Sequence, residues 1–329
     1  MLSQYNLRAL LLSVIMAVGS VGVSSAQEWP TRPITMVVPF AAGSATDTSG
    51  RVLAAGLSEV LGQQVIVENI GGGGSMIGTA RVAKAPPDGY QFLFGSVDSM
   101  AIVPAMHKQA PYNTVNDFSP IGLVVDQPIV LVTRKDLPVS TMQDFIAYAK
   151  ANQNSMQFGS SGVGSGSHFA CARLNAAVSI EPAHVPYRGS GLAMQDLLGG
   201  RLDYFCALGA AAIGPMNAGS VKAIAVLTGE PSSLFPTLKT AKEQGVAGVE
   251  SYFWTGFFFP KGTPDSIVQK LNNATNTILE NPRTAERLRK VGVLPISIGE
   301  RSSDYLKKFI QSEVVTWRDN VKSIGIPIE

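Results

Sequence analysis

Apolar residues follow two patterns in the first third of the chain. Residues 34–40 form a largely apolar run that predicts a buried strand, whereas in residues 46–61 apolar positions return every three or four residues, which predicts a helix. The same order continues with a strand at 65–67, a turn at 71–74, a helix at 76–84 and a strand at 90–95. This alternation predicts a mostly parallel sheet covered by helices.

The alternation continues to the end of the chain. Helices are predicted at 143–150, 168–177 and 192–198, and strands at 156–160, 184–187, 202–206, 221–227 and 253–259. The C-terminal part is strongly helical, with apolar faces marked by Ile267, Leu271 and Ile278 and by Tyr305, Phe309, Val314, Trp317 and Val321. The fold class is therefore α/β.

Two extended segments interrupt this order and are interpreted as crossings between domains. The first is an apolar run at 121–132 and the second lies near 248–254. Without its first 26 residues the chain is still longer than one hydrophobic core usually serves. We therefore expect a discontinuous first domain, at 27–125 and 250–329, and a second domain at 126–249.

The N-terminus is typical of an export signal. Arg8 supplies a positive charge, residues 9–18 supply a short apolar segment, and small residues precede a cleavage site near Ala26. The apolar segment is too short for a membrane anchor, and no later stretch predicts a transmembrane helix. We expect a soluble protein of the periplasm.

Charge and cysteine content narrow the function classes. The chain has 26 Lys+Arg and 24 Asp+Glu, with no basic stripe interleaved with aromatic residues, so nucleic acid is not expected as a partner. The two cysteines, Cys171 and Cys206, are compatible with a disulfide in an oxidising compartment and equally with two buried thiols.

Two loops between a predicted strand and helix have unusual chemistry. The loop at 39–47 is small, carries hydroxyls and many backbone N–H groups, and leads directly into a helix, an arrangement that favours an anion. Its alternative interpretation is an ordinary turn with Thr46 or Asp47 as the helix N-cap, and Asp47 is expected to cap or brace the loop.

The second loop, at 159–168, has Gly, Ser or His at nine of its ten positions. Its hydroxyls and amides near a helix start predict hydrogen bonding to an oxygen-rich group. His168 either donates to that group or simply packs at the helix N-terminus.

The sequence contains none of the catalytic motifs that we searched for. The glycine run at 71–74 has neither the P-loop continuation nor the dinucleotide spacing. No Gly-x-Ser-x-Gly elbow occurs, and His107, His168 and His184 lack metal-ligand spacing. Neither a metal nor a cofactor nor an enzymatic activity is expected, although a triad assembled from distant residues stays open.

The ordered set of motifs resembles the Bug-type (TctC-like) substrate-binding proteins of tripartite tricarboxylate transporters. The matching stretches run through nearly the whole chain: WPTRPI at 29–34, PFAAGSATD at 39–47, LGQQVIVENIGGGGSMIG at 61–78, APPDGY at 85–90, DFSPI at 117–121, GSSGVGSGSH at 159–168, HVPYRG at 184–189, DLLGG at 196–200 and KGTP at 261–264.

This resemblance implies a two-domain periplasmic binding fold, type II-like, with two crossing segments and a cleft that closes on a small organic acid, either a di- or tricarboxylate or an aromatic carboxylate. The partners it implies are that acid and the membrane subunits of a tripartite tricarboxylate-type transporter. The expected ligand-binding residues are Phe40, Ala41, Gly43, Ser44, Thr46, Ser96, Asp98, Ser160, Ser161, Gly162, Ser165, His168, Tyr187, Arg188 and Ala207.

Two positions depart from the family pattern. Ala42 stands where many members have glycine, and Ala207 stands at about the position where many have an aspartate facing the far end of the ligand. The loss of that carboxylate argues against a ligand with a cationic far end. A secreted α/β hydrolase and a sensing module for a membrane receptor are the two rival functions.

Overall fold

The computed structural model describes residues 28–323, so the predicted export signal at 1–26 lies outside the described residues. The first lobe is built on three parallel strands: β1 (Ile34–Val38) lies between β2 (Val65–Asn69) and β3 (Gln91–Ser96). Two helices connect them, α1 (Ala45–Leu61) and α2 (Met76–Ala83).

Local signals set the ends of α1. Ser44 is its N-cap, and the chain leaves the helix at Gly62, whose φ of 68° is a left-handed conformation that glycine adopts without steric cost. A short helical segment, Asp98–Ile102 and Val103–Met106, follows β3 directly and was not predicted.

The second lobe repeats the architecture. Strands β5 (Gln157–Ser160), β6 (Ala183–Pro186) and β7 (Tyr204–Leu208) pair in parallel around β5. The strand predicted at 202–206 thus lies two residues later, although Leu202 is buried beside it. The remaining elements of this lobe are α3 (Met142–Asn152), α4 (Gly166–Val178), α5 (Ser190–Leu198), α6 (Gly209–Asn217), which was not predicted, and β8 (Val221–Val226).

Two long strands join the lobes. Strand β4 (Phe118–Arg134) pairs with β9 (Tyr252–Pro260) as far as Pro128, and from Ile129 onward it pairs with β7 and β8. The chain crosses on β4 and returns on β9 in the opposite direction, so these pairings are antiparallel. The sheet is therefore mixed, and the prediction of a mostly parallel sheet holds only within each lobe. The domain boundaries at 125/126 and 249/250 stay a prediction.

The C-terminal helices cover the first lobe. Helix α7 (Asp265–Glu280) buries Leu271 and Ile278 of its predicted apolar face. Ile267 of that face is only half-buried, and its neighbour Val268 is buried instead. Three elements follow: α8 (Pro282–Lys290), β10 (Leu294–Pro295), which pairs with β4, and α9 (Ser303–Ser323). On α9, Trp317 packs edge-on against Phe169 of α4, with ring centroids 5.2 Å apart, so this helix also contacts the second lobe.

The two cysteines form a disulfide, which settles the alternative left open by the sequence. Cys171 of α4 and Cys206 of β7 are bonded, with their Cα atoms 5.5 Å apart. The bond fixes the helix that follows the Gly/Ser loop to the sheet of the second lobe. In the part of the chain that the structure describes, no helix combines the length and hydropathy needed to cross a bilayer.

Candidate ligand-binding cleft

The two loops singled out in the sequence face each other across the gap between the lobes. The first follows β1 and leads into α1, and the second follows β5 and leads into α4. A narrow cavity of about 10 Å³ lies between them, room for about one oxygen-sized group. It is lined by Phe40, Ser44, Ala45, Thr46, Asp98, Ser161, Ser167, Ser190, Leu208 and Phe253.

The N-terminus of α1 has one backbone donor left over. The Ser44 hydroxyl accepts a hydrogen bond from the amide of Asp47 at 3.2 Å. The amide of Ala45 donates across the cleft to the hydroxyl oxygen of Ser190 at 2.9 Å. The amide of Thr46, between them, has no hydrogen-bond partner within residues 28–323.

The N-terminus of α4 has the same arrangement. Here the Ser165 hydroxyl accepts from the amide of His168 at 3.3 Å, and the amide of Gly166 donates across the cleft to Asp98 Oδ1 at 2.7 Å. The amide of Ser167 makes no hydrogen bond to any residue that the structure describes.

Two helix N-termini, each with an unpaired second amide, therefore meet at one small cavity. Each helix carries a partial positive charge of about half a unit at this end, and unpaired N–H groups there bind anions. Because Thr46 and Ser167 both line the cavity, a single oxygen of an anion placed there would meet donors from both lobes.

Asp98 forms one wall of the narrow cavity and is 1 % exposed. Burial raises its pKa to about 8, although the hydrogen bond from the Gly166 amide partly offsets the effect. The carboxyl group is therefore mostly protonated at neutral pH. A protonated carboxyl group can donate a hydrogen bond to an anion and carries no charge that would repel it.

Asp47 braces the first loop, in accord with the expectation from its position. Its carboxylate accepts from the amide of Gly43 at 2.9 Å, from Asn69 at 2.9 Å and from Arg51 at 3.1 Å. Burial opposes ionisation, but these hydrogen bonds outweigh it and hold the pKa of Asp47 below its usual value. Asn69 also donates to the carbonyl of Phe40, so β2 fixes the loop at two points.

A wider cavity of about 400 Å³ opens beside the narrow one, and Phe40 and Ser161 line both. Its first-lobe wall is the glycine turn at 71–74 with Ser75, Met76, Val103, Met106 and His107. Its second-lobe wall is residues 161–163 and 186–188. Its volume is sufficient for a ligand of a few carbon atoms.

About half of the predicted site residues line these cavities. They are Phe40, Ser44, Thr46, Asp98, Ser161, Gly162, Tyr187 and Arg188. Ser165 instead caps α4, the amide of Gly43 is occupied by Asp47, and neither Ala41 nor Ser96 reaches a cavity wall. Ala207 packs in the core of the second lobe, because side chains alternate along β7 and the next residue, Leu208, lines the narrow cavity.

Ser160 and His184 form a hydrogen-bonded pair. A serine bonded to a histidine supplies two of the three residues of a hydrolase triad. The distance from Ser160 Oγ to His184 Nε2 is 2.7 Å. Ser160 is fully buried and lines neither cavity, and its hydroxyl also contacts the backbone of Gly162. The His184 ring stacks on the ring of His168, with centroids 4.0 Å apart. No carboxylate of the described residues is hydrogen-bonded to His184.

Several cavity residues were missed by sequence reasoning. Ser167 lies inside the predicted loop but was not selected, and Ser190 lies in a Gly-Ser-Gly turn that resembles the selected loops in composition. Leu208 and Phe253 carry no sequence signal for a site. The glycine turn at 71–74 was considered only as a nucleotide loop. Among residues 28–323 no three His, Cys, Asp or Glu side chains are grouped to hold a metal ion.

The fold and cleft define the class: a two-lobed solute-binding protein of the periplasmic type. The chain belongs to the tripartite tricarboxylate transporter receptor family (TctC), whose model matches residues 50–326.

Three solved structures illustrate the similarity. The periplasmic binding protein BugD has a TM-score of 0.87 and 35 % identity, covering 91 % of this chain and 99 % of that one. MatC from Rhodopseudomonas palustris with bound malate has a TM-score of 0.84 and 34 % identity, covering 89 % and 100 %. Rpa4515 from R. palustris, with adipate, has a TM-score of 0.86 and 31 % identity, covering 91 % and 99 %.

Proposed function

We propose that this protein is exported to the periplasm, captures a small organic carboxylate by closure of its lobes, and delivers it to the membrane subunits of a tripartite tricarboxylate-type transporter. One observation carries the proposal: the unpaired amides of Thr46 and Ser167, one from each lobe, line the same buried cavity. The malate and adipate bound by two relatives support a carboxylate as the ligand.

The energetics are of the right size for micromolar binding, which corresponds to about −8 kcal/mol. Each helix terminus contributes about 0.3–1 kcal/mol, rising to about 2 kcal/mol when partly buried. Hydrogen bonds to a charged group add about 1.5–3 kcal/mol each. Two amides, the Ser190 hydroxyl and a protonated Asp98 therefore supply most of the required free energy, and burial of the apolar part of the ligand supplies the rest.

Closure follows from the bridging position of the ligand. Its carboxylate touches donors of both lobes, so it binds the closed arrangement more tightly than an open one and shifts the population. We place the moving domains at 27–125 with 250–329 and at 126–249. The hinge then lies where β4 changes partner and where the chain returns to β9.

Calorimetry with malate, succinate, adipate and benzoate tests the binding step. We expect at least one of these acids to bind with micromolar affinity. Ser161→Leu should weaken binding by tenfold or more, because Ser161 lines both cavities, without lowering the melting temperature by more than a few degrees. Ser312→Leu, on the exposed surface of α9, is the control. Absence of binding by every mono- and dicarboxylate would refute the proposal.

Delivery is tested separately by uptake. A strain that lacks this protein should lose uptake of the acid identified by calorimetry, and the wild-type gene should restore it. Normal uptake combined with a lost transcriptional response to the acid would identify a sensing protein instead.

A further inference from the structure

The line where the two lobes meet carries exposed apolar side chains from both of them. In the first lobe, Ile77 in the first turn of α2 is 55 % exposed. In the second lobe, Val163 of the Gly/Ser loop is 49 % exposed and Leu192 in the first turn of α5 is 47 % exposed. Apolar side chains that stay exposed on one surface mark interaction sites, whereas single ones scattered over a protein carry no such meaning.

Backbone contacts between the lobes bring Ile77 and Val163 to the same place. A Cβ added to Gly74 would lie 2.8 Å from the carbonyl oxygen of Val163, so the backbones of the two lobes are in contact here. Ile77 lies over Gly72, because a Cβ added to that glycine would be 2.6 Å from the Ile77 Cδ1. Gly72, Gly74 and Val163 all line the wider cavity, so both apolar side chains lie beside it.

Leu192 lies further along the same line of contact. Two residues before it, the Ser190 hydroxyl accepts a hydrogen bond from the amide of Ala45 in the first lobe at 2.9 Å. The loop that leads to Ala45 in turn packs against the glycine turn, since a Cβ added to Gly71 would lie 3.0 Å from the amide nitrogen of Ala41. One continuous edge therefore runs from the glycine turn to the start of α5.

The chain segments along this edge carry almost no charge. The segments 39–46, 71–78, 159–168 and 189–195 contain no Asp, Glu, Lys or Arg, although charged residues make up 15 % of the chain. The exception beside them is Arg188, which is exposed and forms no ion pair with residues 28–323. Protein interfaces have this composition at their centre, where charged residues are depleted and arginine is enriched.

We propose that Ile77, Val163, Leu192 and Arg188 form the surface on which a membrane subunit of the transporter docks. The chemistry of the surface calls for a partner with apolar side chains around one acidic group that pairs with Arg188. Because the surface combines residues of both lobes, it is complete only while the lobes are closed, and the partner binds the closed protein more tightly than an open one. The inference rests on the proposed function and supplies the docking surface for its delivery step.

The double variant Ile77→Ser with Leu192→Ser tests it, because neither residue lines either cavity. Calorimetry with malate, succinate, adipate and benzoate should give affinities within twofold of the wild type, and the melting temperature should change by no more than a few degrees. Uptake of the acid that binds, in a strain that carries the variant in place of the wild type, should fall about tenfold.

The matched control is Ile66→Ser with Leu198→Ser. These residues are 49 % and 47 % exposed, but one lies near the N-terminal end of β2 and the other at the C-terminal end of α5. This variant should support normal uptake. A photocrosslinking amino acid in place of Leu192 should form an adduct with a membrane subunit in cells, with a higher yield when the acid is added, and the same amino acid in place of Leu198 should form none.

The outcomes separate the docking surface from the general function. Normal uptake by the double variant would overturn the surface and leave carboxylate binding and delivery standing. A tenfold loss of ligand affinity, an equal loss of uptake in the control variant, or an adduct between two copies of this chain would also overturn it. If no acid binds, or if deletion of the protein leaves uptake unchanged, the proposed function itself fails and the docking surface fails with it.

Discussion

Asp98 shows how a carboxyl group can belong to the proposed anion site. It is fully buried at the cavity wall, and its oxygen accepts the amide of Gly166 from the other lobe. The titratable group beside it is Tyr112, which donates its hydroxyl to the carbonyl of Ser99 and supplies no positive charge. Without a cation, the group is most stable as the neutral acid.

This protonation state makes stability depend on pH. The ordinary pKa of 3.8 applies to the unfolded chain, and the folded value is about 8, so the unfolded chain releases a proton that the folded chain keeps. Stability from this group is thus greatest near pH 4 and falls as the pH rises to 8. Asp98→Asn, which resembles the neutral acid, should raise the free energy of unfolding at pH 8 by about 2–5 kcal/mol, at roughly 1.4 kcal/mol per pKa unit, and change it little at pH 4.

Chemical denaturation at both pH values measures this difference. The exposed Asp304→Asn is the control for the loss of one charge. An equal effect of Asp98→Asn at pH 4 and pH 8 would show that folding does not raise the pKa of Asp98.

The stacked pair His168 and His184 makes stability depend on pH in the opposite direction. Burial lowers the pKa of His168 to about 3, helped by the charge of His184, and burial lowers that of His184 to about 4. The unfolded chain binds these protons near pH 6.5, so stability is complete above that pH and is lost as the pH falls toward 3. His168→Phe, which retains the ring stack, should abolish about 2 kcal/mol of the wild-type loss between pH 7 and pH 5.

Thermal and urea unfolding between pH 7 and pH 5 test this, with His107→Gln as a control outside the stacked pair. If His168→Phe and the wild type lose the same stability over that range, the stacked histidines are not the acid-sensitive element.

Helices α1 and α4 share one design at their N-termini. In each, a serine at the N-cap accepts from the third amide, the first amide donates to the other lobe, and the second amide stays unpaired. Their sequences at these positions are Ser44-Ala45-Thr46 and Ser165-Gly166-Ser167. Serine at the N-cap follows from sequence preference. Which amide pairs with the other lobe and which stays unpaired depends on the residues that the other lobe places opposite the helix.

The disulfide anchors α4 behind the end at which we propose that the ligand binds. Cys171 and Cys206 are 35 residues apart, and closing a loop of that length contributes about 3–4 kcal/mol. The double variant Cys171→Ala with Cys206→Ala should lose about that amount in urea unfolding and lose sensitivity to reductant. A variant as stable as the oxidised wild type would show that the bond adds nothing to stability.

The lobes meet through backbone as well as through side chains. A Cβ placed on Gly191, at the start of α5, would lie 2.8 Å from the carbonyl oxygen of Gly43 in the first lobe. This is closer than real Cβ atoms approach, and the obstacle is backbone, which cannot rotate away. We therefore expect this contact to limit how far the lobes close.

Gly191→Ala should hold the lobes slightly apart and weaken ligand binding by tenfold or more, about 1.4 kcal/mol. Its melting temperature without ligand should not fall, because alanine is the better helix former. Gly214→Ala, in α6 with open space around the added Cβ, is the matched control and should bind normally. Affinity by calorimetry and the radius of gyration by X-ray scattering, with and without ligand, give the readouts. Normal affinity in Gly191→Ala would mean that closure is not limited by this contact.

Much of the molecule follows from local sequence. The order of most strands and helices, the hydroxyl-rich loops and the bracing role of Asp47 were predicted because each depends on residues a few positions apart. The N-cap of α1 was expected at Thr46 or Asp47 and is instead Ser44, because the helix begins at Ala45. The boundaries of β7 and the presence of α6 were not predicted, because buried runs such as 202–208 fit several registers.

Other features depend on residues that are far apart in the chain. Asp98 and Gly166 are separated by 68 positions, and Ala45 and Ser190 by 145, so no local pattern indicates that they pair. The antiparallel crossing strands and the core position of Ala207 likewise arise from packing. Hydrogen bonds within one turn of helix form wherever the sequence allows them, whereas a donor stays free for a ligand only where the folded chain places nothing against it.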